Sequence, residues 1–376
     1  MIPSNNSTFL KLAIKLLDLL GNKPIVLSPL SICAAMGVVQ AGAEGETLTE
    51  IDNALFGGND SASVNTYFLY VLPALKLPRV TTAVFVDKQC SIQPEYEKTV
   101  NSAYAADVKT VDFAINADVE RETINKWIED ASEGRIQEVI GPGMLNSNTI
   151  LVIVNCIYFS ANFVNGFTGE KTELNVFINE DGSTKMVNTM QGEMKFDETY
   201  GFPRFLSTQH FQYADFAFNC MSDPENYRFF LVVPKRNFSL SAIRHHLQND
   251  SEAISALSGK ACAVEVLHVT MPKFQTEFTS DLKATLALLG IKAAFTNGQF
   301  PGITHDPAKI DFILHKVKFE IDEFGVTAAA ATAISMVGFS AITPSRKPKE
   351  AWIEADRPFL YGVMYKDVPL FVGQYY

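Results

Sequence analysis

Residues 151–159, Leu151-Val152-Ile153-Val154-Asn155-Cys156-Ile157-Tyr158-Phe159, offer few polar side chains to either face of an extended chain. A strand with one face in water alternates apolar and polar positions, whereas a strand covered on both faces does not. This stretch is the expected central strand of a covered sheet. Working outward, residues 80–86, 229–233 and 264–271 also read as strands. The N-terminal part is helical instead. Ser7 or Thr8 can cap a first helix, Phe9, Leu12, Ala13, Leu16, Leu17 and Leu20 recur at helical spacing, and Gly21 and Pro24 stop it. Ile25-Val26-Leu27-Ser28-Pro29-Leu30-Ser31-Ile32 is a short strand that turns at Pro29 into an Ala-rich helix. Further helices are expected over 47–55, with Leu48, Ile51, Ala54 and Leu55 on one face, and over 117–140. Helices first and strands later make an α+β chain with large sheets.

Composition narrows the function. Of the 376 residues, 47% are hydrophobic and 19% charged, enough for a large core and against disorder. No linker, repeat or low-complexity tract divides the chain, so residues 1–376 are expected to form a single domain. A net charge of −11 disfavours nucleic acid and polyanions such as heparin, since Arg346, Lys347 and Lys349 are the one local basic cluster. Cys33, Cys90, Cys156, Cys220 and Cys262 lie far apart with no CxxC and mostly within apolar runs, as small buried hydrophobes do. Lys11, Lys15 and Asp18 interrupt the apolar residues 9–20, which are expected to be an amphipathic helix rather than a signal peptide or membrane segment. The chain is expected to be cytoplasmic, or secreted without a cleavable signal. An enzyme reading finds no GxSxG, HExxH, P-loop or GxGxxG, and of six histidines only His245 and His246 are adjacent, where helical geometry points them apart. No metal or cofactor is expected.

Residues 323–345 carry the functional signal. After Glu323 no charge appears until Arg346 and no proline until Pro344. Gly325 supplies a pivot, followed by Ala328, Ala329, Ala330 and Ala331. With period two, Val326, Ala328, Ala330, Thr332, Ile334 and Met336 form the more apolar face and Thr327, Ala329, Ala331, Ala333 and Ser335 the other. Such a segment can wait in solvent and later enter a sheet without burying a charge. Alanine propensity alone argues equally for a helix.

Together these stations resemble the serpin family over essentially the whole chain, with the look of its intracellular, ovalbumin-like or viral and parasite-like members. Ser28-Pro29-Leu30-Ser31-Ile32 resembles the family's shutter motif, Val154-Asn155-Cys156-Ile157-Tyr158-Phe159 its central strand, and His315 its shutter histidine. Met271-Pro272-Lys273-Phe274, Gly290-Ile291, Gly302-Ile303-Thr304, Arg357-Pro358-Phe359 and Pro369-Leu370-Phe371-Val372-Gly373 match further stations in order. The resemblance implies a three-sheet fold with about eight or nine helices and an exposed reactive centre loop over about 323–357. It also implies a monomeric suicide inhibitor of a serine protease, in which the cleaved loop inserts into the main sheet, carries off the acyl-enzyme and performs no catalysis itself.

The resemblance further implies a hinge of Glu323, Gly325, Val326, Thr327, Ala328, Ala329, Ala330, Ala331 and Thr332. It implies a shutter of Ser28, Ser31, Asn155 and His315, and a breach where Lys273 pairs with Glu323 beside Phe163. Two residues depart from the family pattern: Phe163 stands for the usual tryptophan, losing the indole donor, and Val326 for threonine or serine. Counting seventeen residues from Glu323 reaches Phe339, and that length spans at most about 56 Å. The preferred bait bond is then Phe339-Ser340, for a chymotrypsin-like target. Counting back from Pro358 gives Arg346-Lys347 and a trypsin-like target; Pro344 cannot join an interior ladder, which disfavours inserting that far. A papain-like target accepting Val337-Gly338-Phe339 and a non-inhibitory chaperone, carrier or storage role are the rival readings.

Overall fold

The structure, a computed structural model, describes residues 7–167, 169–224, 226–250, 252–254, 257, 261–326 and 348–376. Its main sheet runs in the order Asp107–Val111, Arg79–Asp87, Leu151–Tyr158, Ile310–Ile321 and Phe274–Asp281. Leu151–Tyr158 is antiparallel to Arg79–Asp87 on one side and parallel to Ile310–Ile321 on the other. Every residue of this central strand is buried. Leu151, Ile153 and Ile157 point into the large core, while Val152, Val154 and Cys156 meet a second cluster with Phe113, Ile124 and Ile128 of the helix Phe113–Ala131. The absence of alternation in the sequence has this cause: both faces are covered.

A second, antiparallel sheet contains Ile25–Leu27, Val368–Tyr375, Phe359–Tyr365, Tyr227–Pro234 and Phe211–Ala217, and the large core lies between it and the main sheet. The third sheet orders Glu350–Glu354, Val266–Pro272, Thr184–Lys195 and Glu173–Ile178. The helix Pro29–Gln40 is buried at all of its positions and threads the core. Ser28 caps it, its Oγ accepting from the Ser31 N–H at 3.2 Å, and Pro29 sits in the first turn, where a missing N–H is harmless.

The expected strands and first two helices are present with shifts of a residue or two, the helix begun at Gly45 passing into a π-turn at Asp52–Phe56. The helix expected over 117–140 instead spans Phe113–Ala131. Glu133 and Gly134 take left-handed backbone (φ 54° and 78°), and Ser132 Oγ accepts from the Ile136 N–H at 3.0 Å, ending the helix. Ile136, Val139, Ile140 and Leu145 continue an apolar pattern because the segment lies against the main sheet, not because it is helical. Lys316 fastens it there, donating to the Gln137 carbonyl at 2.8 Å and pairing with Glu277 at 2.7 Å. Helices Ser61–Ala74 and Pro94–Tyr104 were not read from the sequence; the first leaves Leu69 and Tyr70 exposed, which blurs its periodicity.

Candidate functional site

The main sheet is closed along one seam. Register runs from Ile310 opposite Leu151 to Lys318 opposite Tyr158, with direct backbone pairing between the two parallel strands. Past Tyr158 the strands diverge. The chain leaving Ile321 reverses through a tight turn, in which Asp322 Oδ1 accepts from the N–H groups of Phe324 (2.9 Å) and Gly325 (3.2 Å). Gly325–Val326 then wedges between the end of Ile310–Ile321 and Ala161–Asn162, with Val326 opposite Ile321 and Ala161. Val326 is fully buried. A Cβ on Gly325 would lie 2.1 Å from the Ala161 carbonyl oxygen and 2.7 Å from Asn162 Cα, so glycine is required by close backbone approach as well as by its φ of 159°.

Glu323 anchors the turn. Its buried carboxylate accepts from Lys273 Nζ at 2.7 Å and from Thr172 Oγ1 at 2.8 Å, and its carbonyl accepts from the Phe167 N–H at 2.9 Å. Burial alone would raise the Glu323 pKa; the hydrogen bonds from Lys273 and Thr172 together with the lysine charge outweigh it, and the carboxyl is held below its ordinary value. The Phe163 N–H donates to the Phe324 carbonyl at 2.7 Å. Its ring is buried among Phe167, Phe216, Phe218 and Phe229, stacked on Phe218 at 5.1 Å. Among the described residues, the buried side-chain polar atoms without partners belong to Gln40, Tyr158, Thr276 and Tyr361, so this phenylalanine nest holds no orphaned side-chain acceptor awaiting an indole.

Below the middle of the seam lies a polar cluster. His315 and Asn155 are register partners across it. His315 Nδ1–H donates to Asn155 Oδ1 at 2.9 Å, and Nε2 accepts from the Ser28 N–H at 3.3 Å, which assigns the neutral tautomer. Ser31 Oγ–H also donates to Asn155 Oδ1, and Asn155 Nδ2 donates to Thr82 Oγ1 at 3.0 Å. Burial lowers the His315 pKa to about 3; a proton on Nε2 would in addition face the Ser28 donor. The four residues expected together from the sequence do meet. Thr82 and Thr172 were missed, although Thr82 was visible as a polar residue inside an apolar strand. Thr327, Ala328, Ala329, Ala330, Ala331, Thr332, Phe339, Ser340, Arg346 and Lys347 lie outside the described residues. His246, adjacent to His245 in sequence, has its ring 4.5 Å from that of His210.

A three-sheet α+β fold, closed along a parallel seam and entered at one end by the first residues of a long connection, defines a class of protein. The chain belongs to the serpin family: the model described as Serpin (serine protease inhibitor) matches residues 3–376. It is similar to Iripin-2 of Ixodes ricinus, 27% identical over 366 residues covering 94% of this chain and 87% of that protein. Antithrombin-III of Homo sapiens is 29% identical over 369 residues, covering 93% and 74%. Among solved structures, Serpin48 of the insect Tenebrio molitor superposes with a TM-score of 0.84 at 23% identity, covering 100% of this chain and 97% of that one. Thyroxine-binding globulin complexed with thyroxine gives 0.80 at 23%, covering 98% and 97%. These last two show the fold.

His315 is neutral in the folded chain and titrates near 6.5 when unfolded, so the unfolded state binds the extra proton and stability falls as pH drops from about 6.5 towards 3. The slope approaches ~1.4 kcal/mol per pH unit. Urea unfolding of the uncleaved protein at pH 7.5, 6 and 5, above the carboxylate range, should show this loss, and His315→Gln should flatten it. Gly325→Ala should destabilise the uncleaved protein by about 1–3 kcal/mol through the clash with Ala161, read as a lowered urea midpoint.

Proposed function

We propose that this chain is a monomeric suicide inhibitor of a chymotrypsin-like serine protease. Residues 1–376 act as one domain, and the reactive loop expected over about 323–357 is narrowed to the connection between Val326 and Glu350, because Glu350–Glu354 is a strand of the third sheet. The protease serine attacks the Phe339 carbonyl, the Ser340 amine leaves, and an ester joins protease to inhibitor. The freed chain then enters the seam between Leu151–Tyr158 and Ile310–Ile321, and the tethered enzyme is carried off before water can cleave the ester.

One observation carries this reading: the register with which Gly325–Val326 already enters the sheet. Val326 stands antiparallel to Ile321. Continued down the seam, each residue after Val326 meets the residue equally far before Ile321, so Val337 falls opposite Ile310, the first residue of that strand. Phe339 then clears the end of the sheet by two positions. Arg346 would clear it by nine and leave the tethered enzyme slack, which favours Phe339-Ser340 over Arg346-Lys347. The faces agree as well. Val326, Ala328, Ala330 and Ile334 would share a face with Ile321, Phe319, Val317 and Ile313, all in the large core, and Thr332 would meet His315. Small side chains on the other face would pass beneath the helix Phe113–Ala131, which must lift.

The thyroxine-binding globulin neighbour is known in complex with thyroxine, so the fold by itself does not make an inhibitor. The uncharged, small-residue hinge supports the inhibitory role here over a carrier or storage role. A net charge of −11 supports action without heparin.

Incubation with chymotrypsin should give an SDS-stable complex and release a C-terminal peptide beginning at Ser340; a peptide beginning at Lys347 would move the bait to Arg346. Cleavage within the loop by a protease that escapes should raise the thermal midpoint by tens of degrees, and an unchanged midpoint removes insertion. Ala328→Arg puts a charge opposite Phe319, and should turn inhibitor into substrate, with loss of complex and complete cleavage at an unaltered midpoint of the intact chain.

A further inference from the structure

Away from the seam, two histidines that the sequence keeps far apart come into contact. His210 ends the turn between the strands Arg204–Ser207 and Phe211–Ala217, and His246 lies in the last turn of the helix Leu240–Asn249. Both backbones are fixed. Thr208 Oγ1 accepts from the N–H groups of His210 at 3.1 Å and Phe211 at 3.0 Å, and the His210 carbonyl accepts from the Lys235 N–H at 2.9 Å. On the helix, Ile243 and Leu247 are buried on either side of His246, and the His246 carbonyl accepts from the Asp250 N–H at 2.9 Å.

The two half-buried rings lie with centroids 4.5 Å apart and planes at 42°. Phe238 stands edge-on to His210 at 4.9 Å, and Phe211 is tilted against His246 at 6.4 Å, so each ring has an aromatic neighbour that limits its rotation. Among the described residues, the histidine rings that hydrogen-bond are those of His268 and His315, and the ring nitrogens of His210 and His246 have no protein partner. A neutral imidazole keeps one nitrogen lone pair, so the pair holds two uncommitted ligand atoms on two rigid elements. Two imidazoles that bind one ion at about 2.0–2.1 Å on adjacent coordination positions place their centroids about 4.5–5 Å apart. The observed separation is at the short end of that range, where the angle at the ion is close to a right angle.

We propose that His210 and His246 form a binding site for a divalent transition-metal ion, copper(II) ahead of nickel(II) and zinc(II). Imidazole nitrogen suits these ions and not the oxygen-seeking calcium or magnesium, and affinity at such ligands peaks at copper(II). A right-angled pair fits the tetragonal geometry of copper(II) and nickel(II) better than the tetrahedral one of zinc(II). Among the described residues no third histidine, cysteine or carboxylate completes the set, so the other positions fall to water. The nearby cation is drawn aside, Lys235 Nζ donating to Ser207 Oγ at 2.9 Å, and the net charge of −11 favours a cationic ligand. His245 is exposed and takes no part, because adjacent helical residues diverge; the partner of His246 comes instead from a different element. With half the ligands of a closed zinc site, the dissociation constant should be on the order of 10 µM. The ion would join the turn to the helix and so stabilise the folded chain.

The test is titration of copper(II) sulfate at pH 7.5 into the full, untagged chain as wild type, His210→Gln, His246→Gln and His245→Ala, followed by calorimetry and by electron paramagnetic resonance. Wild type and His245→Ala should each bind one ion with two equatorial nitrogens, and either glutamine variant should weaken binding at least about tenfold. Copper(II) should raise the thermal midpoint of the first two proteins and not of the others, relative to the same samples in EDTA. Binding of equal strength in His210→Gln or His246→Gln, a wild type that binds no tighter than ~1 mM, or a spectrum without paired nitrogens overturns the proposal. So does a copper-dependent dimer in sedimentation, which would place the ion between two molecules. Should one glutamine variant fail to fold, the other, on a separate element, decides by the same readouts.

Discussion

The parallel pairing of Leu151–Tyr158 with Ile310–Ile321 is the constraint around which the molecule is arranged. Parallel ladders are slanted and slightly weaker per residue than antiparallel ones. The segment poised at the top of the seam runs antiparallel to Ile310–Ile321 and to Ala161–Asn162. If it continues downward, one parallel ladder is exchanged for two antiparallel ones, and the apolar half of the new strand is added to an existing core. On the proposed reading, the closed sheet is a satisfied arrangement with a better one available, separated from it by the work of parting two hydrogen-bonded strands beneath a packed helix. The helix Phe113–Ala131 and the Lys316 contact to Gln137 add to that barrier because they bridge the face the new strand must pass under.

The polar cluster under the seam sets where that barrier is concentrated. Asn155 and His315 belong to the two strands that insertion would separate, while Ser28 caps and Ser31 lies in a helix buried in the core. Parting the strands would orphan donors and acceptors in a fully buried site, at about 1–3 kcal/mol for each unsatisfied group. Replacing the cluster by hydrocarbon would remove this directional resistance and leave only packing, which yields gradually. A neutral His315 matters to the same end, because it is donor at one nitrogen and acceptor at the other and so closes the network on both sides.

Much of this was readable from the chain because its signals are local. The central strand announces its double coverage by the lack of alternation in residues 151–159, and the Ser28-Pro29 pair marks strand, cap and helix start within a few residues. The meeting of Asn155 with His315 was not local; it was reached by resemblance, and the register across the seam supplies the physical reason. What stayed hidden was tertiary. Thr172 reaches Glu323 only because a short 3₁₀ turn at Gly169–Lys171 is set beside the hinge, and nothing in its neighbourhood marks it. Residues 132–149 kept an apolar rhythm while draped over a sheet, which is why a helix was read through Glu133 and Gly134.

On the proposed reading, the division between what stays anchored and what inserts falls between Glu323 and Val326. Glu323 is held by its side chain to Lys273 and Thr172 and by its carbonyl to Phe167, and Phe324 is held through its carbonyl to Phe163, whose ring is packed in a nest of phenylalanines. All of these contacts secure the turn from outside the seam. Val326, by contrast, is held through strand pairing, the same interaction that a following residue would make one step lower. An indole at position 163 would add a donor to a wall already closed by backbone hydrogen bonds and aromatic packing, so phenylalanine leaves the anchor intact. On the proposed reading, insertion would need no rearrangement of the turn: Val326 is already buried opposite Ile321 and Ala161, and each further step would repeat that pairing.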